Sequence, residues 1–177
     1  MWERLRRRPV VPAEVERQLQ LAPGEHALAV ATLDDDSTAV STEARLLVAR
    51  PAGLRWAVGW SEVDAATWEP EARSLVVRLV DGGSATLVLA SGRDTLLPEV
   101  VRERVQSSVV LSQRVEALGR RGARVVVRRA REGLVVQVVP DPGVDLADPD
   151  VAAEVERTRR ELARAVGLEG PPPGTPV

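Results

Sequence analysis

The stretch GEHALAVATLDDDSTAVSTEARLLVAR, residues 24–50, decides the fold class, because apolar runs of strand length alternate in it with turn-forming residues. Residues 26–33 form a nearly continuous apolar run, and Asp34-Asp35-Asp36-Ser37 ends that run as a turn. Residues 39–50 alternate in polarity and predict one long second strand. One face of this strand would carry Val40, Thr42, Ala44, Leu46 and Val48, and the other Ser41, Glu43 and Arg45.

The same pattern continues to residue 90. Alternation over residues 54–60 places Trp56 and Trp60 on one face of a third strand. A shorter segment at 63–68 leads into predicted strands at 74–80 and 85–90, and Asp81-Gly82-Gly83 is a hairpin signal between these two strands. Because the chain lacks Phe and Tyr, we expect the tryptophans, Trp68 included, to fill the core, with ligand stacking as the alternative.

The hydrophobic period then changes from two to about 3.6, which indicates an amphipathic helix over residues 95–109. Its apolar positions recur every four residues, at Leu97, Val101, Val105 and Val109. A run of hairpins followed by a helix predicts a mainly β, α+β fold. Its antiparallel strands would form a partly open barrel or two packed sheets, closed by the helix.

Residues 24–110 resemble the pleckstrin-homology-like (PH-like), or GRAM-like, domains of bacteria. The matching features are the opening GEHALAVATL, the strand AVSTEARLLVA with its threonine and arginine, and the segment WAVGWSEVDAATW. The segments VVRERVQSSVVLSQRV, RGARVVVRR and DPGVDLADPDV resemble small actinobacterial proteins of similar length. The resemblance implies a scaffold for binding without naming an activity, because its pattern consists of core and turn residues.

The first turn bears directly on phosphoinositide binding. Phosphoinositide-binding members of the PH-like group carry basic residues on the loop between the first two strands. Here that loop reads Asp34-Asp35-Asp36-Ser37-Thr38. Three adjacent carboxylates repel a phosphorylated headgroup, so we expect no phosphoinositide binding at this surface.

The chain is divided by these patterns into four predicted segments. They are an N-terminal arm with a short helix (1–23), the PH-like domain (24–110), a β-meander with a C-terminal helix (111–168) and a disordered proline-rich tail (169–177). The meander follows from the runs SVVLSQRVEAL, GARVVVRRA and LVVQVVP. In a simple hairpin, Val125 and Val127 would face one side, and Arg124 and Arg128 the other, beside Gln137.

The last helix has its own start signal, since Asp148 is suited to the N-cap and Pro149 to the first helical position. Gly167 is a plausible end. A narrow apolar stripe follows from Val151, Val155, Thr158, Leu162 and Val166. We expect this stripe to pack on the chain's own sheet, and a partner helix or a dimer seam is the alternative.

The composition excludes several classes of site. The 177-residue chain has no cysteine, hence no disulfide, thiolate ligand or thiol nucleophile, and a cytoplasmic location is expected. It also has no Lys, Asn or Ile, so its 24 arginines reflect a GC-rich bacterial genome and are weak evidence for phosphate binding. We expect no transmembrane segment and no signal peptide, because no apolar run is long enough and the start is basic and polar.

The net charge of −2 conceals a segregation of charge. Residues 21–100 carry six arginines and twelve acids, a balance of −6, whereas residues 101–139 carry nine arginines and three acids, a balance of +6. The basic segment either packs beside acidic neighbours or offers a face to an acidic partner. The candidate binding surface consists of Arg114, Arg120, Arg121, Arg124, Arg128, Arg129 and Arg131.

No residue set predicts catalysis, a cofactor or a metal. His26 is the only histidine, and its place after a Pro-Gly turn favours a strand-edge residue over a general base. The acidic group formed by Asp141, Asp145, Asp148 and Asp150 lacks the glycine and terminal glutamate of a calcium loop. No spacing selects an acid–base pair among Glu25, Glu43, Glu62 and Asp64. We therefore expect a protein that is not an enzyme.

Two functions from different classes remain. The first is a non-catalytic protein-interaction module, in which an open edge strand or a patch near the meander receives an unknown protein partner or a second copy of the chain. The alternative is an anion or nucleic-acid binder that uses the seven arginines, with an affinity that falls steeply with salt. The acidic overall balance and the shortage of exposed aromatic residues favour the first.

Overall fold

The computed structural model describes residues 9–91, 95–118 and 121–168, and for Ala117, Leu118 and Arg121 it describes the main chain alone. The described chain is mainly β, with three antiparallel sheets and three helices. It divides into two compact units, Met1–Ser107 and Ser108–Val177. Residues 1–8 of the predicted N-terminal arm and the predicted tail at 169–177 lie outside the described residues.

The first unit holds two sheets and two helices. The larger sheet runs in chain order through β1 (Ala27–Thr32), β2 (Thr38–Thr42), β3 (Arg45–Arg50) and β4 (Gly53–Gly59). The smaller sheet contains β5 (Val63–Glu69), β6 (Ser74–Leu79) and β7 (Ser84–Val88). Helix α1 (Ala13–Leu19) precedes the strands and α2 (Leu97–Ser108) follows them.

Both sheets of this unit bury side chains in one common core. Leu46 and Val48 from the larger sheet and Leu75 and Val77 from the smaller sheet belong to the same buried cluster. Helix α2 adds Leu97, Val101 and Val105 to that cluster, as its four-residue spacing predicts. The described tryptophans also lie there, since Trp60 is buried and Trp56 and Trp68 pack against the cluster. The predicted core role of these residues is confirmed.

The long second strand that alternation predicts is wrong, because residues 39–50 form two strands joined by a tight turn. The hydroxyl of Thr42 accepts hydrogen bonds from the main-chain N–H groups of Ala44 and Arg45, at 3.2 and 3.1 Å, and closes this turn. The turn reverses the alternation, so Val40 pairs with Leu47 and both pack beneath α1. Leu46 and Val48 face the common core instead.

The predicted helix also ends one residue early. Helix α2 ends at Ser108, and Val109 begins the next strand, where it pairs with Arg128. Val109 is therefore not part of the helical stripe, and that prediction is wrong. A β-branched Val109-Val110 pair suits a strand, and pairing with a neighbour decides the conformation at this boundary.

The second unit is a three-stranded sheet covered on one face by a helix. Its strands are β8 (Val109–Leu118), β9 (Arg121–Ala130) and β10 (Gly133–Pro140), with β9 in the centre. Helix α3 (Pro149–Ala165) contacts all three strands. The predicted stripe is confirmed, since Val151, Val155, Thr158 and Leu162 are buried and Val166 packs against the same cluster as Val125 and Val127.

The ends of α3 also follow the sequence signals. The Asp148 side chain accepts hydrogen bonds from the N–H groups of Asp150 and Val151, and Pro149 occupies the first position. Gly167 takes a left-handed φ of 72°, and its N–H donates to the Arg164 carbonyl at 3.0 Å. Among the described residues, no helix has the length and apolar character needed to cross a bilayer.

Candidate interaction surfaces

The predicted arginine surface is spread over different environments. Arg120 lies outside the described residues, as does the side chain of Arg121. Arg114 on β8 forms an ion pair with Asp141 at 2.5 Å, and Arg124 lies opposite Arg114 in the sheet. Hydrogen bonds from Arg114 and from the Gly122 N–H, together with the nearby charge of Arg124, lower the pKa of Asp141. Part of the basic charge is thus balanced within the second unit.

The remaining arginines differ in exposure. Arg128 is 1% exposed, and its Nη1 donates to the Ser108 hydroxyl at 2.9 Å. A guanidinium buried to this extent is inaccessible to an external phosphate. Arg129 and Arg131 are exposed at the end of the β9–β10 hairpin. The structure therefore brings Arg114 and Arg124 together and places Arg129 and Arg131 at the far end of β9.

The outer edge of β10 has a different character. We define the β10 edge as the outer side of residues 134–139, which read LVVQVV and contain no charged residue. Strand β10 pairs with β9 over eight consecutive residues without a register shift, so it is regular along its whole length. Within the described chain it pairs with β9 alone, and no turn, loop or cap hydrogen bond of the main chain involves residues 134–139. These six residues are all half-buried.

The opposite edge of the same sheet is built differently. Strand β8 has register irregularities at Val109/Leu111 and at Glu116/Leu118, and it carries the charged residues Arg114 and Glu116. Irregular pairing and charged side chains are the usual means by which an edge strand avoids pairing with another chain. The β10 edge has neither device, which makes it the better candidate for strand addition.

A single polar side chain interrupts the apolar run of β10. Gln137 lies opposite Val126 of β9 and therefore shares the sheet face of Arg124 and Arg128, as the hairpin pattern predicts. Its side-chain oxygen Oε1 is buried and has no hydrogen-bond partner among the described residues. A buried carbonyl oxygen left unpaired costs about 1 to 3 kcal/mol. The sequence shows the glutamine, but its unpaired oxygen depends on packing that the sequence pattern does not reveal.

The first unit contains an open pocket of about 260 Å³ between the β1–β2 loop, β3, β4 and β7. Its lining includes Asp35, Arg55, Trp56 and Thr86. The Asp35 carboxylate forms ion pairs with Arg50, at 2.9 Å, and with Arg55. It also accepts hydrogen bonds from the hydroxyl and from the N–H of Ser37, which with the two arginines lower the pKa of Asp35. Asp35 thus pairs with Arg55, which lines the pocket, and with Arg50.

This pairing predicts the response of the pocket to anionic lipids. We expect the wild-type protein not to bind vesicles that contain phosphatidylinositol phosphates, because Asp35 pairs with Arg50 and Arg55. Asp35→Asn removes the carboxylate charge that pairs with Arg50 and Arg55, while Arg50 Nη2 still donates to the main-chain carbonyl of residue 35. The loss of this charge should raise affinity for such vesicles roughly tenfold, since hydrogen bonds to charged groups contribute on the order of 1.5 to 3 kcal/mol. Vesicle co-sedimentation across a salt series measures the change.

Asp36→Asn is the matched control for this experiment. It removes the same charge from the same loop, while both ion pairs of Asp35 are retained. Wild-type binding at low salt that is lost when the loop is substituted would contradict the prediction.

The other candidate residues have structural environments. His26 is exposed, and its main-chain N–H donates to Glu43 at 3.0 Å. Asp141 pairs with Arg114, Asp145 accepts from the Ala147 N–H, and Asp148 caps α3. Within the described ranges, no group of three or more His, Asp or Glu residues is arranged to hold a metal ion.

Comparison with known proteins gives no match for this chain, whether with family models, curated protein sequences or solved structures.

Proposed function

We propose that this chain is a non-catalytic protein-interaction module, built on a PH-like domain, that binds a polypeptide along the β10 edge. The observation that carries the proposal is an edge strand that is uncharged, regular and apolar. Such a strand offers a row of main-chain donors and acceptors to an added strand. Side chains on its two faces would then supply the specificity.

The PH-like assignment draws its support from the first unit. Four antiparallel strands are followed by three more, and a helix after the seventh strand contributes to the core that both sheets share. This order agrees with the sequence resemblance of residues 24–110. A fold of this kind fixes no activity, so the function rests on the surface.

The charge distribution favours a polypeptide over a polyanion. Arg114 is paired with Asp141 and Arg128 is buried. The acidic balance of the whole chain opposes long-range attraction of nucleic acid. An anion or nucleic-acid surface, the alternative function, has its clearest exposed support in Arg129 and Arg131.

The test compares the two edges of one sheet by affinity capture. The bait is the full chain as wild type, as Gln137→Lys on β10 and as Gln113→Lys on β8, each with nuclease present and at low and high salt. The two variants introduce the same charge, and Gln113 is an exposed residue of the opposite edge strand. The charge at residue 137 should block strand addition because edge lysines prevent pairing.

We expect a polypeptide, either a distinct protein or another copy of the chain, that wild type and Gln113→Lys retain and Gln137→Lys loses. Its binding should survive nuclease and high salt, because main-chain hydrogen bonds and apolar contacts carry it. The proposal fails if every captured protein is insensitive to Gln137→Lys. It also fails if capture requires nucleic acid and is lost on neutralising Arg129 and Arg131.

A further inference from the structure

From the symmetry of β10 we infer that the partner of this edge is a second copy of the same chain, paired antiparallel about Gln137. The inference rests on the proposed function, because it names the polypeptide that the β10 edge receives. It would join two three-stranded sheets into one sheet of six strands with a two-fold axis at its centre.

The residues of β10 are arranged almost symmetrically about Gln137. Four residues of β10, Gly133-Leu134-Val135-Val136, precede Gln137, and three, Val138-Val139-Pro140, follow it, so Gln137 lies next to the middle of the strand. A two-fold axis between antiparallel strands runs perpendicular to the sheet, so opposite residues share a face and the axis passes through a self-pair. With Gln137 at the axis, Val136 faces Val138 of the second copy. Val135 likewise faces Val139 of that copy.

These pairs place apolar residues opposite apolar residues on both faces. Val136 and Val138 lie on the face that packs against the α3 cluster, and Val135 and Val139 lie on the other face. β-Branched pairs directly opposite each other contribute to sheet stability. Pro140, which has no N–H, falls at the end of the joined ladder, where its missing donor costs least.

The unpaired side-chain amide of Gln137 favours the same axis, independently of the order of residues in the strand. Gln137 is the one polar residue of the edge, and its Oε1 has no partner among the described residues. At a two-fold axis, two glutamine side chains lie directly opposite each other. Because Oε1 is buried within one copy, the pairing requires the Gln137 side chain to adopt another rotamer at the interface, in which each amide can donate to and accept from its symmetry mate. The self-pair therefore satisfies a group that one copy leaves unsatisfied.

Two copies of β10 can also approach each other without repulsion between like charges. No charged residue lies in Gly133–Pro140, so bringing two copies of this strand together opposes no like charges. Strand β8, in contrast, carries the charged residues Arg114 and Glu116 and pairs with β9 in an irregular ladder. Of the two outer strands of this sheet, β10 is therefore the one suited to self-pairing.

The first experiment measures the mass of the purified full-length protein by light scattering and sedimentation over a range of concentrations. We expect twice the mass of one chain for wild type and Gln113→Lys. Gln137→Lys places two like charges at the axis and should weaken dimerisation at least roughly tenfold, with an unchanged far-ultraviolet circular dichroism spectrum. A wild-type protein that is still monomeric at about 100 μM would overturn the inference, because a dimer with a dissociation constant in the micromolar range would form at that concentration.

The second experiment tests the register, and it exploits a chain without cysteine. Directly opposite residues have Cα atoms about 4.5 to 5.5 Å apart, within the range that a disulfide can bridge. Gln137→Cys should form a covalent dimer under mild oxidation. Val135→Cys is the control, because residue 135 of the two copies would be about 14 Å apart. Equal cross-linking of the two variants would contradict the register.

The two proposals fail in different ways. A monomeric purified protein that still captures a distinct polypeptide, in a manner that Gln137→Lys abolishes, overturns the self-pairing and leaves the interaction module standing. If Gln137→Lys weakens neither self-association nor capture, both proposals are overturned.

Discussion

Replacing Gly122 with alanine should destabilise the second unit by at least about 3 kcal/mol, at the upper end of what overpacking costs. A Cβ at this residue would lie 1.8 Å from the Val115 carbonyl oxygen and 2.8 Å from its carbonyl carbon. These are main-chain atoms of the neighbouring strand, so no side-chain rotation relieves the clash. Strands β8 and β9 would have to separate where the Gly122 N–H also donates to Asp141 at 3.0 Å.

Because of where the tryptophans lie, fluorescence and circular dichroism of one sample can be used to separate the unfolding of the two units. All four tryptophans lie at or before residue 68, so their fluorescence follows the first unit only. Circular dichroism follows both units. We expect denaturant titration of Gly122→Ala to show early loss of β signal, while the fluorescence transition retains its wild-type midpoint.

Gly167→Ala is the control for this substitution. It adds the same methyl group to a glycine that has nothing within 4 Å of the new Cβ but has a φ of 72°. Its cost should be limited to backbone strain, about 1 kcal/mol. If Gly122→Ala costs no more than Gly167→Ala, the close approach of β8 and β9 at residue 122 is refuted.

The features that the sequence predicts correctly are those specified by neighbouring residues. Helix α3 has Asp148 at its N-cap, Pro149 at its first position and apolar residues at helical spacing. Each of these signals lies within the helix or next to it. The hairpin at residues 81–83 is similarly local. Such signals act over a few residues, so a single sequence displays them.

The features that it misses depend on residues far apart in the chain. The turn between β2 and β3 is the exception, since the Thr42 hydroxyl accepts from N–H groups only two and three residues away, but the alternation on its two sides looks like one strand. Asp35 meets Arg50 and Arg55 across fifteen and twenty residues. Arg128 is buried and Gly122 touches β8, although nothing in the local pattern distinguishes either from an exposed strand residue. Candidate surfaces chosen by residue type alone therefore include buried side chains.

Breaking the ion pair between Glu25 and Arg45 is the second change for which we expect a large effect. The Glu25 carboxylate accepts hydrogen bonds from Arg45 Nε at 3.0 Å, Arg45 Nη2 at 3.1 Å and the Thr42 hydroxyl at 2.7 Å. Arg45 Nη2 also donates to the Gln20 carbonyl at 2.9 Å, just after α1. The Glu25 side chain is only 7% exposed, so removing its partner leaves a buried carboxylate.

Arg45→Gln should therefore lower the free energy of unfolding by about 3 kcal/mol at pH 7, as for other broken buried pairs. The double variant Glu25→Gln/Arg45→Gln should lose less than the sum of the single changes, because it removes both charges. Arg157→Gln breaks two ion pairs, with Glu154 and Glu161, on the exposed face of α3 and should leave the midpoint nearly unchanged. Additive losses in the double variant would show that Glu25 and Arg45 are not coupled.

The stabilisation by the Glu25–Arg45 pair should depend on pH, and the pKa of Glu25 sets the direction of this dependence. Burial opposes ionisation of Glu25, but hydrogen bonds from Arg45, the Ala22 N–H and Thr42 outweigh it and lower its pKa from the ordinary value of 4.5. A carboxyl group with a lowered folded-state pKa stabilises the fold fully above its unfolded-state pKa, and this contribution is lost as the pH falls through the folded-state value. The unfolded-state pKa is common to wild type and Arg45→Gln and cancels in their difference. Burial without Arg45 raises the folded-state pKa of Glu25 in the variant, so the difference in unfolding free energy should be largest at neutral pH. It should shrink as the pH falls from the raised pKa of the variant to the lowered pKa of wild type. A difference that is the same at pH 3 and pH 7 would mean that Arg45 stabilises the first unit through the Gln20 carbonyl and its own packing, without the charge of Glu25.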